Sequence, residues 1–260
     1  MTNYLEISSL KFSKSFTDLV SQDGRSRCPN CKNNRKYYCY DCVVPIGHEP
    51  PKPPHRLPVQ IHIVRHKSER KSKSSIIPLK LAYPDDVFLY EFTQPDRFDS
   101  SKSEGSISPS FSPDFDWEHS ALLFPEEHVS KTIGEIVDKN QKPLKIQNVI
   151  VIDSTWSTAL QVIKRTPEFG RIKMRIKLGE GNQTIFWRHQ KIDRSCLATC
   201  EAIYVVMREL WDHTNTESYD ARYDDVLFYY VFIHSLINDH YRTTKRHKGH
   251  LPEYALVDDS

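Results

Sequence analysis

The strongest indication of the fold is the sequence QNVIVIDSTWSTALQVIKR, residues 147–165. Its apolar run at residues 149–152 is continuous and β-branched, which is typical of a strand buried on both faces and therefore of a parallel or mixed sheet. Residues 153–155 are Asp, Ser and Thr, the types that cap helix N-termini, and Leu160 and Ile163 continue at helical spacing. The stretch predicts a strand, a tight turn and a helix of an α/β domain.

The turn after this strand is a candidate ligand site. In open α/β sheets, ligands bind beyond the carboxyl ends of the strands, where the amides of helix N-termini point outward. We expect residues 153–156 to lie at that position. The alternative is an ordinary capped turn, because Asp, Ser and Thr are also the residues that such a turn uses for structural reasons.

Length and composition set limits on the class of protein. The chain has 260 residues, enough for one large domain or for a domain with a small appendage. A hydrophobic content of 38% and a charged content of 27% suit a soluble globular protein. No apolar run approaches the roughly 20 residues that span a bilayer, and the N-terminus lacks a signal-peptide core. We therefore expect an intracellular protein without membrane contact, in the nucleus or the cytoplasm, with the nucleus favoured.

Charge is distributed unevenly along the chain. The net charge of +2 does not by itself indicate a nucleic-acid partner. Residues 65–73 and 242–248 are basic clusters, and basic residues alternate with apolar ones over residues 171–178. Such clusters are explained either by a solvated surface or by contact with a phosphate backbone.

Four of the six cysteines form two CxxC pairs, Cys28 with Cys31 and Cys39 with Cys42. Two such pairs a short hairpin apart provide the four thiolates that a tetrahedral Zn²⁺ site needs. A disulfide framework is the alternative, and it fits an intracellular chain poorly. We therefore expect one structural Zn²⁺ bound by these four cysteines.

Three tyrosines stand among basic residues within this cysteine-rich segment, at positions 37, 38 and 40. Aromatic and basic side chains together suit stacking on unpaired bases. Packing of the tyrosines against the main domain is the alternative.

Composition divides the chain into five segments: a flexible N-terminus at 1–27, a zinc-binding module at 28–47, a Pro-rich linker at 48–58, a main domain at 59–241 and a basic, polar tail at 242–260. Within the main domain, residues 94–120 are rich in Ser, Asp and Pro and poor in aliphatic residues, which predicts a mobile insertion.

Periodicity predicts alternating strands and helices in the main domain. The predicted strands are 59–64, 87–92, 121–124, 149–152 and 171–178. Besides the helix that follows Thr155, the predicted helices are 129–138, 197–211 and 225–241.

Four short words of the sequence resemble those of a known family. Asp-Ser-Thr-Trp at residues 153–156 resembles the signature of the DTW-domain family, and CLATCEA at 196–202 resembles the family's Leu-Ser-Thr-x-Glu-Ala word. LLFP at 122–125 is similar to a further family word, and FWRHQ at 186–190 is similar to one of the eukaryotic zinc-bearing branch. The words occur in the family's order and, with the cysteine pairs, cover most of the chain.

The resemblance implies a fold and an activity. It implies a SPOUT-like knotted α/β domain that binds S-adenosylmethionine and transfers its 3-amino-3-carboxypropyl group to RNA. The zinc-bearing branch is similar to tRNA-uridine aminocarboxypropyltransferases, so the implied acceptor is N3 of a tRNA uridine. Because N3 of a paired uridine lies inside the base pair, the acceptor is expected to be an unpaired base that is splayed out of the RNA.

The resemblance also implies roles for single residues. Asp153 would remove or share the proton of uridine N3, or would only accept amide hydrogen bonds in its turn. The residues implied to contact or shape the site of S-adenosylmethionine are Ser75, Leu123, Pro125, Thr155, Trp156, Leu197, Thr199 and Glu201. A basic edge at Arg188, His189 and Lys191 would hold RNA phosphates, with a solvated edge as the alternative.

Two departures from the family pattern concern this site. Ala198 stands where the family usually has Ser, which removes a hydroxyl from the second word. The family's Asn-Thr-Gly element is represented only by Ser74 and Ser75, so the contact expected from its Thr hydroxyl falls to Ser75.

Two other classes of function remain open at this point. An RNA methyltransferase would share the fold and the cofactor and would transfer one carbon instead of four. A non-catalytic zinc-ribbon protein would bind tRNA and show no saturable S-adenosylmethionine site. The mass added to tRNA uridine separates these three hypotheses.

Overall fold

A computed structural model of the protein describes residues 2–92, 111–140, 145–186 and 193–244. Two small antiparallel hairpins form the cysteine-rich module. β1 (Ser26–Arg27) pairs with β2 (Asn34–Arg35), and β3 (Tyr38–Cys39) pairs with β4 (Val44–Pro45). Each CxxC pair lies at the turn of one hairpin, so the two turns can face a common centre.

A five-stranded parallel sheet forms the centre of the main domain. Its strands are β5 (Gln60–His66), β6 (Val87–Phe92), β7 (Ser120–Leu123), β8 (Asn148–Asp153) and β9 (Met174–Ile176). Their order across the sheet is β6-β5-β8-β7-β9, and every pairing is parallel. β8 therefore lies in the middle, and the carboxyl ends of all five strands meet at one edge.

The helices are α1 (Thr17–Val20), α2 (Ile76–Ala82), α3 (Ile133–Asn140), α4 (Trp156–Arg165), α5 (Thr199–Thr214) and α6 (Phe228–Thr244). Short 3₁₀ turns occur at Ile7–Ser9, Lys71–Lys73, Pro167–Arg171 and Asp224–Leu227. In the part of the chain that the structure describes, no helix is long and apolar enough to cross a membrane.

Both faces of β8 are covered. Val149 and Val151 belong to the larger core, which α2, α3, α5 and α6 share, whereas Ile150 and Ile152 belong to a second core beneath α4. Successive side chains of a strand point to opposite faces, so a strand between two cores must be apolar at every position. The prediction of an α/β domain around a fully buried strand is thus confirmed. The knot that the family resemblance implies stays a prediction.

The predicted elements are present, and several boundaries differ. The predicted strand at 171–178 is shortened to Met174–Ile176, because the chain between Pro167 and Arg171 forms a 3₁₀ turn. The predicted helix at 225–241 begins instead with the 3₁₀ turn Asp224–Leu227, and only then continues as α6. Residues 76–82, to which no helix was assigned, form α2.

The N-terminus predicted to be flexible packs against the main domain within the described range. Leu5 and Leu19 are each 1% exposed. The backbone N–H of Tyr4 donates to Asn182 Oδ1 at 3.0 Å, and that of Lys11 donates to Asp224 Oδ2 at 2.7 Å. The apolar residues of this polar segment are widely spaced and show no periodicity, yet Leu5 and Leu19 pack into hydrophobic clusters together with residues of the helices.

The predicted insertion at 94–120 also differs in its C-terminal part. Phe111, Phe115 and Trp117 form an aromatic cluster against the sheet, with the Phe115 and Trp117 ring centroids 4.6 Å apart. The ring of Phe115 also meets the imidazole of the buried His62 edge-on at 4.8 Å. Because aromatic side chains bury large apolar areas, these three rings hold the segment against the sheet although it has almost no aliphatic residues. Residues 94–110, and residues 245–260 of the predicted tail, lie outside the described residues.

Candidate active site and metal centre

Asp153 is the last residue of β8, at the carboxyl edge of the sheet. Its Oδ1 accepts a hydrogen bond from Thr199 Oγ1 at 2.7 Å, and its Oδ2 accepts one from Ser74 Oγ at 3.1 Å. Among the described residues, the carboxylate is thus held by hydroxyls from two distant segments and not by amides of the following helix. It joins the end of β8 to the N-terminus of α5.

The environment of Asp153 changes its acidity. Burial raises the pKa of this carboxyl, while the hydrogen bonds from Thr199 and Ser74 and the charge of Arg65 act in the opposite direction. Arg65 lies directly opposite on β5, where its guanidinium is paired with Glu91. A buried carboxyl with a raised pKa is a better proton acceptor than an exposed one.

Glu201 fixes the segment that leads into α5. Its Oε2 accepts the N–H of Ala198 at 2.6 Å and the hydroxyl of Thr184 at 2.7 Å, and its Oε1 accepts the N–H of Ile185 at 2.9 Å. Burial raises the pKa of Glu201 to about 6, although these hydrogen bonds lower it. Because the side chain is fully buried and its oxygens are occupied, its role is to hold the loop.

A cavity of about 370 Å³ opens beside this cluster, at the carboxyl ends of β7 and β8. Its volume lies within the roughly 300–1,000 Å³ of small-ligand sites. Apolar side chains from four segments form much of its wall: Leu123, Phe124, Pro125, Val151, Ile152, Trp156, Ala159, Leu178, Leu197 and Ala202. Ser154, Asn182, Ser195 and Thr199 add polar groups.

The structure brings five of the eight predicted cofactor residues to this cavity, namely Leu123, Pro125, Trp156, Leu197 and Thr199. The other three do not line it. Thr155 occupies the N-cap position of α4, and its Oγ1 donates to Thr158 Oγ1 at 2.9 Å. Ser75 Oγ accepts the N–H of Cys200 at 3.3 Å, and Glu201 lies behind the wall. The predicted RNA contacts Arg188, His189 and Lys191 lie outside the described residues.

One wall of the cavity, formed by residues 177–182, was not predicted from the sequence; we call it the cavity loop. Gly181 has a φ of 107°, a conformation that favours glycine. The N–H of Gly179 donates to Glu209 Oε1 at 2.7 Å, and a Cβ atom at Gly179 would lie 3.0 Å from that oxygen. The Gly-Glu-Gly sequence at residues 179–181, directly after the predicted strand at 171–178, is the feature of the sequence that could have indicated this loop.

The four cysteines of the two CxxC pairs converge. Their Sγ atoms all lie within 4.8 Å of one another, and those of Cys31 and Cys39 are 3.6 Å apart. Zn–S bonds of about 2.3 Å in a tetrahedron place sulfur atoms about 3.8 Å apart, so this cluster fits a four-coordinate metal. Burial raises the pKa of Cys28, but the N–H groups of Cys31 and Asn30 and two neighbouring thiols bring it down to about 7.

Both pairs adopt the same turn. Lys32 and Val43, which follow the second cysteine of each pair, have φ values of 63° and 53°. Their N–H groups donate to the carbonyl oxygens of Cys28 and Cys39 at 3.1 Å and 2.8 Å. The left-handed conformation is unfavourable for a β-branched residue such as Val43, so the matching turns indicate a geometry imposed by a shared centre.

The tyrosines of the module pack against α6. The ring centroids of Tyr37 and Phe232 are 4.9 Å apart, and those of Tyr38 and Tyr229 are 5.9 Å apart. His48 Nε2 lies 2.9 Å from the Tyr229 hydroxyl. Of the two interpretations of these tyrosines, the contacts of Tyr37 and Tyr38 favour packing against the main domain.

Comparison with known proteins gives a consistent result. A model of the DTW domain matches residues 25–238. The chain is similar to tRNA-uridine aminocarboxypropyltransferase 1 of Mus musculus, with 31% identity over 246 residues, 85% of this chain and 79% of the relative. The protein of the same name from Xenopus laevis is 30% identical over 250 residues, 87% and 85% of the two chains. No solved structure matches significantly.

Proposed function

The chain belongs to the DTW domain family, and from that premise we propose that it is a tRNA-uridine aminocarboxypropyltransferase that uses S-adenosylmethionine. Relatives that align with most of this chain carry that transferase name. The observation that supports the proposal in this chain is the convergence of two family words on one cavity. The word at 153–156 and the word at 196–202 are joined by the hydrogen bond between Asp153 and Thr199.

The cavity suits the donor that we propose. Leu123, Pro125, Trp156 and Leu197 offer apolar walls for an adenine ring, and Thr199 offers a hydroxyl. When bound, S-adenosylmethionine would supply an activated carbon to uridine N3: the new bond to N3 would form as the bond of that carbon to sulfur breaks, methylthioadenosine would leave with the electron pair, and the N3 proton would be released. The walls fix which carbon can meet the acceptor, so positioning selects the product.

Asp153 is our candidate for receiving the N3 proton. It is absent from the cavity wall, whereas Thr199, which donates its hydroxyl hydrogen bond to Asp153, is part of that wall. We propose that the proton reaches Asp153 through the Thr199 hydroxyl, which passes its own proton to the carboxylate as it accepts the one from N3.

We also propose that the cysteine cluster holds one Zn²⁺ with a structural role. Four thiolates complete a tetrahedral site and leave no position for a substrate. The contacts of the module with α6 suggest that the metal keeps the module docked. Arg188, His189 and Lys191 remain our proposed contacts to tRNA phosphates.

The decisive experiment is the mass of the product. Purified protein, S-adenosylmethionine and unmodified tRNA should yield a uridine carrying the 3-amino-3-carboxypropyl group, detected by mass spectrometry after nuclease digestion. The variant Asp153→Asn should form this product more slowly. Its matched control is Asp85→Asn, because Asp85 is an exposed carboxylate just before β6, at the amino ends of the strands. Uridine gaining one methyl group would identify a methyltransferase, and saturable tRNA binding without any product would identify a binding protein.

A further inference from the structure

The exposed face of α4 has an unusual composition. Trp156 and Leu160 are each 46% exposed although both are large and apolar. Lys164 follows after four more residues and is also exposed. In an α-helix, residues four apart lie on one face, so these three side chains form one stripe about 12 Å long. We call this stripe the α4 platform.

The platform begins at the cavity. Trp156 lines the cavity wall and packs against Phe124, with ring centroids 5.7 Å apart, while much of its surface stays exposed. Leu160 and Lys164 are outside the cavity wall and lead away from its mouth. A molecule whose reacting atom enters the cavity from this side would therefore lie along the platform.

The charge of the helix favours a polyanion. α4 contains Lys164 and Arg165 and no acidic residue. Within the described ranges, neither cation is in a salt bridge. Along the platform, an exposed ring is followed by an aliphatic side chain and then by a cation. A single nucleic-acid strand offers bases, which stack on aromatic side chains, and phosphates, which bind cations.

We propose that the α4 platform is the docking surface for the unpaired RNA strand that carries the acceptor base. The acceptor nucleotide contacts the exposed part of the Trp156 ring as it enters the cavity, the next base lies on Leu160, and Lys164 binds a phosphate. This inference rests on the proposed function, because it takes RNA to be the substrate.

Two pairs of variants of the full chain test this surface. Leu160→Gln removes the apolar step without touching the cavity, and its control is Val20→Gln, which alters a residue that is 70% exposed on α1. Lys164→Gln removes the proposed phosphate contact. Its control is Arg165→Gln, because Arg165 is an exposed cation of the same last turn and projects from the opposite side of the helix to Trp156.

The measurements are the dissociation constant of unmodified tRNA at several salt concentrations and, separately, that of S-adenosylmethionine. We expect Leu160→Gln to weaken tRNA binding about fivefold, because the apolar contact between a base and this half-exposed side chain is lost. For Lys164→Gln, the plot of the logarithm of the dissociation constant against the logarithm of the salt concentration should be less steep than for wild type by about 0.7, the value for one single-strand phosphate contact. Both variants should bind S-adenosylmethionine like wild type, and both controls should bind tRNA like wild type.

The outcomes are separable. If wild type transfers the aminocarboxypropyl group and both platform variants bind tRNA as their controls do, this inference is overturned and the proposed function stands. If wild type adds nothing to tRNA, the proposed function has failed, whatever the binding data show. If wild type sediments as a dimer that Leu160→Gln dissociates, the platform is a contact between two copies of this chain and the inference is again overturned.

Discussion

Asp153 connects three parts of the chain through its two oxygen atoms. One oxygen accepts the Thr199 hydroxyl and the other accepts the Ser74 hydroxyl. Asn at this position has nearly the same shape and can keep both contacts, because hydroxyls rotate to donate or accept. It cannot take up a proton from the acceptor base or carry negative charge. The substitution therefore separates a chemical role from a structural one.

We expect Asp153→Asn to lower the rate of transfer by about 10² to 10⁴, the usual cost of losing a general base, with the S-adenosylmethionine affinity changed less than a few-fold. Single-turnover measurement with tRNA and S-adenosylmethionine above their dissociation constants gives this rate. Thr199→Val should also slow transfer, since it interrupts the path to Asp153. An Asp153→Asn enzyme within a few-fold of wild type would show that Asp153 only holds the turn.

Glu209 is a buried carboxyl on α5 that holds the cavity loop. Burial raises its pKa from the usual 4.5 to about 7, with the Gly179 N–H lowering it and the charge of Asp212 raising it further. The folded protein thus holds this proton more tightly than the unfolded chain does. The group stabilises the fold fully below about pH 4.5 and loses that contribution as the pH rises to about 7. The loss is on the order of 3 kcal/mol.

We expect Glu209→Gln to remove this pH dependence, because the amide oxygen still accepts the Gly179 N–H and no longer titrates. Relative to wild type, the variant should gain about 2 to 3 kcal/mol in the free energy of unfolding between about pH 5 and about pH 8, measured with urea. Glu217→Gln, at an exposed loop position, is the control for the Glu-to-Gln change itself. Parallel pH curves for wild type and Glu209→Gln would contradict the expectation.

At the level of elements, the cysteine-rich module is too small to fold on apolar burial alone. Its own core consists of Cys28, Cys39 and Ile46, with Cys42 and Val44 packed beside them. If the cluster binds the Zn²⁺ that we propose, the binding free energy of the metal becomes folding free energy of the module. Docking of Tyr37 and Tyr38 on α6 should depend on it.

We expect one zinc per chain in protein purified without chelator, and we expect Cys39→Ser to lose it. Cys196→Ser is the matched control, because Cys196 lies outside the four-thiol cluster and should leave the zinc content unchanged. Metal analysis gives the zinc content, and limited proteolysis should show cleavage within residues 28–45 after zinc removal while the main domain stays intact. Substantially less than one zinc per chain in wild type would contradict the assignment.

At the level of the whole molecule, the N-terminal segment contacts both α6 and a residue of the cavity wall. Phe16 packs against both Phe228 and Phe232 of α6, with ring centroids 4.9 Å and 5.5 Å apart. Tyr4 holds Asn182, which lines the cavity. A segment with these contacts should contribute to the stability of the whole domain.

Two neighbouring residues allow a direct test of that contribution. Leu19 is 1% exposed and Val20 is 70% exposed. Leu19→Ala should lower the free energy of unfolding by about 2 to 5 kcal/mol, the range for buried Leu-to-Ala changes, whereas Val20→Ala should change it by less than about 0.5 kcal/mol. Urea unfolding of both variants measures the difference. Equal midpoints for the two would mean that the segment is not packed in solution.

The fold class, the central strand and the four cysteines that converge could be predicted from the sequence. These follow from local patterns: a strand between two cores must be apolar at every position, as residues 149–152 are, and two CxxC turns bring their thiols together by local geometry. Five of the predicted cofactor residues reach one cavity because parallel strands end at the same edge and α5 begins there. The predicted RNA contacts remain predictions.

The three-dimensional structure was needed to find which side chains face each other across that edge. Asp153 meets Thr199 and Ser74, Glu201 lies behind the cavity wall, and the cavity loop is held by Glu209. It also showed that the N-terminus and the aromatic residues at 111–117 are packed. These contacts join residues far apart in the chain, and a single buried leucine or ring leaves no periodic pattern. Local sequence patterns specify elements, whereas the packing of those elements against one another specifies the site.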